Sequence, residues 1–298
     1  MQSPFFLVGP TGVGKSALAI EAARLVGAEI VGADAYQVYG GLATLTAQPS
    51  KDERRTVPHH LVGHVPPDEE YSVARYLEEA RACLDDVAAR GRPALVVGGS
   101  GLYVRALTHG LSPLPPADAA LRAELESWDC AHLLERLHSL DPAAPAMIDA
   151  QNSRRVIRAI EICTLTGQTL RVARSTWEQA EASTARGIFL MRERTDLHAR
   201  IERRLRALPG AGALSEVAAL PRAAMSATSC QTIGYHDLRL HLEGGCTLEA
   251  SLEAITHATR RYSKRQMTWF RGKTTFETVN LSATDDKAVL DRIADHFG

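Results

Sequence analysis

Eight residues near the amino terminus match the phosphate-binding loop of nucleotide-using enzymes. They fit the pattern G-x-x-x-x-G-K-[ST], follow a short apolar run and precede a predicted helix. The loop consists of Gly9, Pro10, Thr11, Gly12, Val13, Gly14, Lys15 and Ser16. Its glycines let backbone N–H groups converge on an anion, and the helix that follows adds partial positive charge. Lys15 can reach an outer phosphate and the Ser16 hydroxyl can ligate Mg²⁺. The pattern predicts a bound polyphosphate, without indicating whether phosphate itself is transferred.

Two further polar residues follow predicted parallel strands. Asp34 comes after the apolar segment 28–33, and Ser100 comes after the strand 93–97 within a glycine-rich turn. Because the carboxyl ends of parallel strands face the ligand crevice, we expect both side chains to lie near Lys15. A helix cap is the alternative for Asp34, and a plain turn is the alternative for the glycine cluster.

The elements that position these residues predict an α/β fold. Strands at 5–8, 28–33, 93–97 and 187–191 alternate with helices at 16–26 and 71–90, whereas residues 118–185 read as helices alone. We expect a P-loop NTPase-like parallel sheet flanked by helices, with an inserted small helical domain. The predicted core is 1–111 with 188–298, and the predicted insertion is 112–187, reached through a proline-rich linker at 111–116.

The segment 35–67 is polar and shows no clear periodicity, so we expect an irregular, functional loop. His59 and His60 lie within it. They could ligate a metal, but no third ligand stands nearby, and ordinary loop packing is the alternative.

Composition narrows the class of protein. The 298 residues are 45% hydrophobic and carry a net charge of −1, and the five cysteines show no C-x-x-C spacing. Because the cysteines are scattered, we expect reduced thiols in a cytoplasmic protein, and we expect it to be a monomer. The sequence shows neither signal-peptide features nor an apolar run long enough for a membrane span.

Positive charge concentrates locally despite the neutral total. Arg154, Arg155 and Arg158 share one edge of a predicted helix, and the segment 260–271 interleaves five cations with three aromatic residues. Such interleaving suits contact with nucleic-acid phosphates and bases, and a solvated helix face is the alternative.

On these motifs three functions compete. A small-molecule or nucleotide kinase would transfer phosphate to an acceptor. A second kind of enzyme would hold a diphosphate leaving group in the loop while the organic part moves. An NTP-dependent switch could use Asp34 as a magnesium ligand, although no second switch element is evident.

A series of motifs in the chain resembles the bacterial tRNA dimethylallyltransferases, the isopentenyl-tRNA transferase family. The resemblance runs from about residue 4 to residue 272, and its last block is the most specific piece. The matching segments are 9–16, 34–39, 58–61, 71–72, 98–103, 155–159, 233–235 and 264–271.

The resemblance implies transfer of a dimethylallyl group from dimethylallyl diphosphate to N6 of adenine 37 in tRNAs that read codons beginning with U. It implies Mg²⁺ as cofactor and the anticodon stem-loop as partner, with ATP at most a non-productive ligand of the loop. A kinase remains the alternative.

The resemblance also implies residue roles. Asp34 would be the base, Lys15 and Arg204 would neutralise the diphosphate held by residues 9–16, Ser16 would hold the metal, and Ser100 would support the diphosphate or the base. The implied tRNA contacts are Asp34, Ala35, Tyr36, Gln37, Ser100, Arg122, Arg154, Arg155, Arg158, Lys264, Arg265 and Arg271.

The chain departs from the family pattern at several positions. Ala35 replaces a serine, Leu45 a glycine, Gln48 a lysine, and His236 a charged residue that usually follows the Gly-Tyr pair. None of these changes removes an implied catalytic group.

Overall fold

The structure, a computed structural model, describes residues 3–111, 114–178 and 184–297. Within these ranges six strands are β1 Phe5–Val8, β2 Glu29–Gly32, β3 His59–His60, β4 Ala94–Gly98, β5 Arg186–Met191 and β6 Glu277–Asn280. They form one sheet in the order β3-β2-β4-β1-β5-β6, and every neighbouring pair is parallel. The predicted parallel sheet is confirmed.

The central strands are buried on both faces of the sheet. Phe5 and Leu7 of β1 pack in one apolar core, whereas Phe6 and Val8 pack in a second core on the opposite face. Successive side chains of a strand point to opposite faces, so a strand covered on both sides needs an unbroken apolar run. Burial on both faces of the sheet therefore explains the unbroken apolar run from which β1 was predicted.

Helices follow most of the strands. The first part of the chain forms α1 Lys15–Val26, α2 Ala43–Thr46, α3 Lys51–Thr56, α4 Val73–Ala89 and α5 Gly101–His109. Ser72 caps α4 by accepting a hydrogen bond from the Arg75 N–H, as its position before an apolar stripe predicts. The prediction that 35–67 is wholly irregular was wrong, because it contains α2, α3 and β3. Elements of two to six residues are too short to show a periodicity.

The contacts between Cα atoms divide the chain into two compact units, 1–108 with 183–298, and 109–182. The second unit contains α6 Ala119–Glu126, α7 Cys130–Leu140, α8 Ala144–Met147, α9 Ser153–Thr166 and α10 Leu170–Glu178. These helices pack around their own core, which includes Leu133, Leu137 and Ile160. Parts of the predicted linker and insertion, at 112–113 and 179–183, lie outside the described residues.

The first unit continues after β5 with helices that cover the sheet. They are α11 Arg194–Ala207, α12 Ala213–Ala219, α13 Tyr235–Leu242, α14 Leu248–Lys273 and α15 Asp286–Phe297, with short 3₁₀ turns at Arg222–Ala224 and Ser229–Gln231. α11 and α15 pack on the same apolar core as α1. Among the described residues no helix has the length and hydropathy of a membrane span.

Candidate active site

The phosphate-binding loop connects β1 to α1 and is held by side chains from distant parts of the chain. Gly12 and Gly14 have positive φ angles of 83° and 107°, which glycine adopts without strain. Arg200 Nε donates to Gly12 O at 3.0 Å, and Arg192 Nε donates to Val13 O at 2.8 Å. The loop is therefore tied to the segment that follows β5.

Gln266 of α14 joins this loop to the turn after β4. Its Oε1 accepts from Thr11 N at 2.9 Å, and its Nε2 donates to Gly99 O at 2.8 Å. The next turn of α14 places the Trp269 ring against Gly101, where a Cβ atom would lie 2.2 Å from the ring. This part of the segment 264–271 thus fixes two loops, a task that the sequence did not indicate.

A cavity of about 470 Å³ opens beside the phosphate loop. Its wall carries four cations, Lys15, Arg200, Arg203 and Arg204, against the carboxylate of Asp34. The three arginines are spaced i, i+3 and i+4, which places them on one face of α11. The resemblance implied a role at the site for Arg204 alone, although the spacing of the arginines on this helix was available to add Arg200 and Arg203.

Lys15 and Arg204 are partly buried, and the Asp34 carboxylate only partly offsets the effect of burial on their positive charges. Burial lowers the pKa of the Lys15 ammonium, the nearby Asp34 carboxylate opposes that shift, and Arg204 adds to it. Burial likewise lowers the pKa of Arg204, against the effect of Asp34. Arg204 Nη1 donates to Thr11 Oγ1 at 3.1 Å, whereas its buried Nε has no hydrogen-bond partner among the described residues. Such an excess of desolvated positive charge favours a multiply charged anion.

Asp34 and Ser100 meet where β2 and β4 end side by side. Ser100 Oγ accepts from Ala35 N at 3.1 Å, and Ser100 N donates to Ala33 O at 3.0 Å. A Cβ atom at Gly98 would lie 2.0 Å from Ala33 O, so the two loops pack backbone to backbone. Ala35 takes part in this contact through its backbone N–H. The alanine side chain, which stands where the family pattern has serine, leaves that hydrogen bond intact. The structure brings Lys15, Asp34 and Arg204 to the same cavity, and Ser100 holds the Asp34 loop.

Two tyrosines stand beside Asp34. The ring centroids of Tyr36 and Tyr262 are 5.7 Å apart, and Arg265 Cζ lies 5.6 Å from the Tyr262 centroid. Burial raises the pKa of both phenols, and the Asp34 carboxylate raises it further, so both remain neutral at ordinary pH. Tyr262 was not among the predicted site residues.

A second, smaller cavity of about 40 Å³ adjoins the first. Both cavities are bounded by Thr11, Asp34, Thr46 and Arg204. The rest of its wall is Tyr36, Leu45, Leu205, Thr232, Ile233, Ile255, Thr259 and Tyr262. Apart from the shared Asp34 and Arg204, the wall of the second cavity carries no charged side chain among the described residues, whereas the first carries four cations.

Gln37 and Gln48 shape the loop that follows Asp34. Gln37 Nε2 donates to Thr46 O at 3.0 Å and to Ala47 O at 2.8 Å. Gln48 Nε2 donates to Gln37 O and to Tyr39 O, at 3.0 and 2.7 Å. The family pattern has lysine at position 48, and the glutamine found here donates to two backbone carbonyls of the loop. The predicted contact between Gln37 and a nucleotide base stays a prediction.

The predicted tRNA-binding cations of α14 point to different places. Lys264 and Arg271 line a groove of about 580 Å³ together with Arg194 and Arg261, whereas Arg265 lies over Tyr262. Positive charge on this groove suits a phosphate backbone.

Two of the four predicted arginines of the helical unit have internal partners. Arg122 donates to the fully buried carboxylate of Glu161 through Nε and Nη2, both at 2.8 Å. Arg158 Nη1 donates to the same carboxylate at 3.1 Å. Arg154 and Arg155 are exposed on the same helix, so their guanidinium groups face solvent.

His59 and His60 take part in edge contacts of the sheet. His59 Nδ1 lies 2.7 Å from Val57 O, and His60 Nε2 lies 2.6 Å from the buried carboxylate of Glu29. Over the ranges that the structure covers, no group of three or more metal-ligating side chains is present. Ser16, in the first turn of α1, lines the charged cavity and offers it a hydroxyl oxygen.

Comparison with known proteins gives a consistent result. The model of the IPP transferase family matches residues 37–273, and an isopentenyl transferase model matches residues 3–59. The chain is 41% identical over 288 residues to a tRNA dimethylallyltransferase of Halorhodospira halophila, covering 94% of this chain and 92% of that protein.

Solved structures resemble the chain as well. The crystal structure of tRNA delta(2)-isopentenylpyrophosphate transferase from Staphylococcus epidermidis superposes with a TM-score of 0.71 at 30% identity, covering 98% of each chain. A eukaryotic dimethylallyltransferase acting on tRNA gives a TM-score of 0.78 at 26% identity, over 98% of this chain and 77% of the other.

Proposed function

The chain belongs to the IPP transferase family, and we propose that it is a tRNA dimethylallyltransferase, the name that relatives about 40% identical to it carry. It transfers the dimethylallyl group of dimethylallyl diphosphate to N6 of adenine 37 in tRNAs that read codons beginning with U, and it releases diphosphate. The comparisons support this prenyl transfer over the kinase alternative.

The observation that carries the proposal is the junction of the two cavities. The chamber at the phosphate loop carries four cations and suits the diphosphate, whereas the chamber beyond Thr11 and Arg204 adds only uncharged side chains to its wall and suits the prenyl group. A kinase would instead need the loop to hold a nucleoside triphosphate and place its last phosphate against an acceptor. The two adjoining cavities better fit a donor whose organic group is transferred while its diphosphate stays at the loop.

The residues divide the reaction between them. The bond between the allylic carbon and the diphosphate oxygen breaks, and its electron pair leaves with the diphosphate. Lys15 and Arg204 neutralise that developing charge, and the loop N–H groups add hydrogen bonds. Adenine N6 attacks the allylic carbon, and Asp34 accepts the N6 proton. The Tyr36 and Tyr262 rings line the smaller cavity where the allylic carbon would lie.

Ser16 is the residue that would hold Mg²⁺. Its hydroxyl is the hard oxygen donor that this ion accepts, and the open cavity leaves room for the waters that Mg²⁺ retains. When bound there, Mg²⁺ supplies further neutralisation of the diphosphate.

We propose that the tRNA is held by exposed cations of both units. Lys264 and Arg271 in the groove of α14, Arg265 near Tyr262, and Arg154 with Arg155 on α9 offer charge to phosphates. The reacting adenine must leave its stack to reach Asp34.

The test uses the purified protein with Mg²⁺, labelled dimethylallyl diphosphate and an anticodon stem-loop with adenines at positions 36 and 37, followed by nucleoside mass spectrometry. We expect label on adenine without any ATP. Asp34→Ala should lower turnover about 100-fold with stem-loop affinity unchanged, whereas the exposed control Asp85→Ala should match the parent. No label, together with phosphate transfer from ATP, would refute the proposal.

A further inference from the structure

The wall of the smaller cavity holds two aromatic rings next to a carboxylate. Tyr36 and Tyr262 line it together with Asp34, and the planes of the two rings are inclined at 55°. Tyr36 N donates to Asp34 Oδ1 at 3.1 Å, so the backbone that carries the Tyr36 ring also orients the carboxylate. The ring of Tyr36 and the carboxylate of Asp34 are therefore positioned by the same short segment.

The two rings differ in their charged neighbours. Arg265 Cζ lies 5.6 Å from the centroid of the Tyr262 ring, within the distance of about 6 Å at which a cation is attracted to an aromatic face. Within the ranges that the structure describes, no cation takes such a position over the ring of Tyr36. Burial raises the pKa of the Tyr36 phenol and the Asp34 carboxylate raises it further, so this ring stays neutral. Tyr262 is thus engaged by a guanidinium group, whereas Tyr36 is available to a positively charged group of a substrate.

The two cavities are charged as the breaking of an allylic diphosphate requires. When the bond between the allylic carbon and oxygen breaks, the electron pair leaves with the diphosphate and positive charge spreads over the allyl group. Four cations line the cavity at the phosphate loop, whereas the second cavity adds only uncharged side chains to the shared Asp34 and Arg204. An aromatic face carries partial negative charge, and its attraction for a cation grows where water is excluded. The Tyr36 ring lines the side on which the positive charge develops.

We propose that Tyr36 is a catalytic residue whose ring stabilises the positive charge of the allyl group in the transition state. The proposal rests on the proposed function, because it assumes that the diphosphate lies at the phosphate loop and the allyl group in the smaller cavity. Adenine N6 supplies the electron pair of the new bond to carbon, and its proton passes to Asp34. Because the attraction exists only while the charge is present, it accelerates the chemical step rather than strengthening donor binding.

The test replaces Tyr36 by phenylalanine and by phenylalanines that carry one, two or three fluorine atoms on the ring. Fluorine withdraws electrons from the ring face and changes the size of the ring little. The readout is the single-turnover rate of transfer from labelled dimethylallyl diphosphate, at saturating donor, to the anticodon stem-loop. We expect Tyr36→Phe to keep most of the rate and each added fluorine to lower it, by about tenfold or more with three. The affinity for inorganic diphosphate should stay the same throughout the series.

Phe276 provides the matched control. It is half-buried, its ring stacks on that of Phe6 with centroids 5.4 Å apart, and it lies outside the walls of both cavities. The same fluorinated phenylalanines at position 276 should leave the transfer rate unchanged. A rate that does not depend on fluorination at position 36, or an equal fall at position 276, would overturn the proposal.

Stacking of the Tyr36 ring on the flipped adenine is the alternative, and the series separates it by sign. Stacking does not depend on an electron-rich ring face, so fluorination would then alter the stem-loop affinity and leave the single-turnover rate unchanged or higher. Either result would overturn the proposed role of Tyr36. Failure of the parent protein to transfer the dimethylallyl group to the stem-loop would instead refute the proposed function.

Discussion

Replacing Gln266 by methionine should loosen the phosphate loop. The Gln266 side chain is 4% exposed and satisfies Thr11 N and Gly99 O at 2.9 and 2.8 Å. Methionine has a similar length but makes neither hydrogen bond. A polar group left unsatisfied in the interior costs about 1–3 kcal/mol, so two of them bound the loss at about 2–6 kcal/mol. Thr11 borders the open cavity, where water can reach its N–H, so we expect about 2–4 kcal/mol.

Two assays measure this effect. In a chain of this size 1 kcal/mol shifts Tm by about 2–4 °C, so a loss of about 2–4 kcal/mol in Gln266→Met should lower Tm by about 4–16 °C. Calorimetry should show diphosphate binding at least about tenfold weaker, because the Thr11 N–H is no longer held toward the anion. Thr268→Ala, at an exposed position of the same helix, is the control and should change stability by less than about 0.5 kcal/mol.

A Gln266→Glu variant separates the two hydrogen bonds of this side chain. Gln266→Glu can accept from Thr11 N in both protonation states, but it donates to Gly99 O only when the carboxyl group is protonated. Its diphosphate affinity relative to the parent should therefore rise as the pH falls. A Gln266→Met variant with Tm within 1 °C and diphosphate affinity within twofold of the parent would refute the role of this contact, as would a Gln266→Glu variant without that pH dependence.

Two further predictions concern charge. Burial lowers the pKa of Lys15 in the free protein, and a bound anion favours the charged ammonium, so diphosphate affinity should fall as the pH rises through that lowered pKa. Calorimetry at alkaline pH in buffers of different ionisation enthalpy should detect proton uptake on binding, and equal heats would contradict it. Arg122→Ala should destabilise the helical unit by about 2–4 kcal/mol, because it leaves the buried Glu161 carboxylate with Arg158 alone. Arg154→Ala should leave thermal unfolding unchanged while it lowers the salt dependence of stem-loop binding by about one ion, and the reverse pattern for these two arginines would contradict the assignment.

The phosphate loop and its sheet could be predicted because their signals are local. The apolar run before Gly9 reflects burial on both faces of the sheet, and the glycines at 12 and 14 reflect positive φ angles. The position of Asp34 beside the loop follows from the rule that parallel strands end at one edge. These inferences needed only neighbouring residues and general topology.

Partners that lie far apart in sequence could not be predicted in the same way. Nothing near Gln266 indicates that its amide bonds Thr11 N, 255 positions away, or that Glu161 accepts from Arg122. In the sequence, an arginine on a polar helix face gives the same pattern whether its guanidinium binds a phosphate or a buried carboxylate. The short elements α2 and β3 were missed because two to four residues carry no period, although α2 positions Leu45 at the smaller cavity.

The order of the strands bears on how the protein is made. β1 pairs with β4 on one side and with β5 on the other, so one edge of the central strand stays open until Met191 has been synthesised. The unit 109–182 lies between these strands in the sequence and has its own apolar core, and small helical units of this kind fold fast. On the ribosome the helical unit thus folds ahead of the complete sheet. The phosphate loop acquires its hydrogen bond to Gln266 later still, so an unfinished chain lacks one of the contacts that hold the loop in shape.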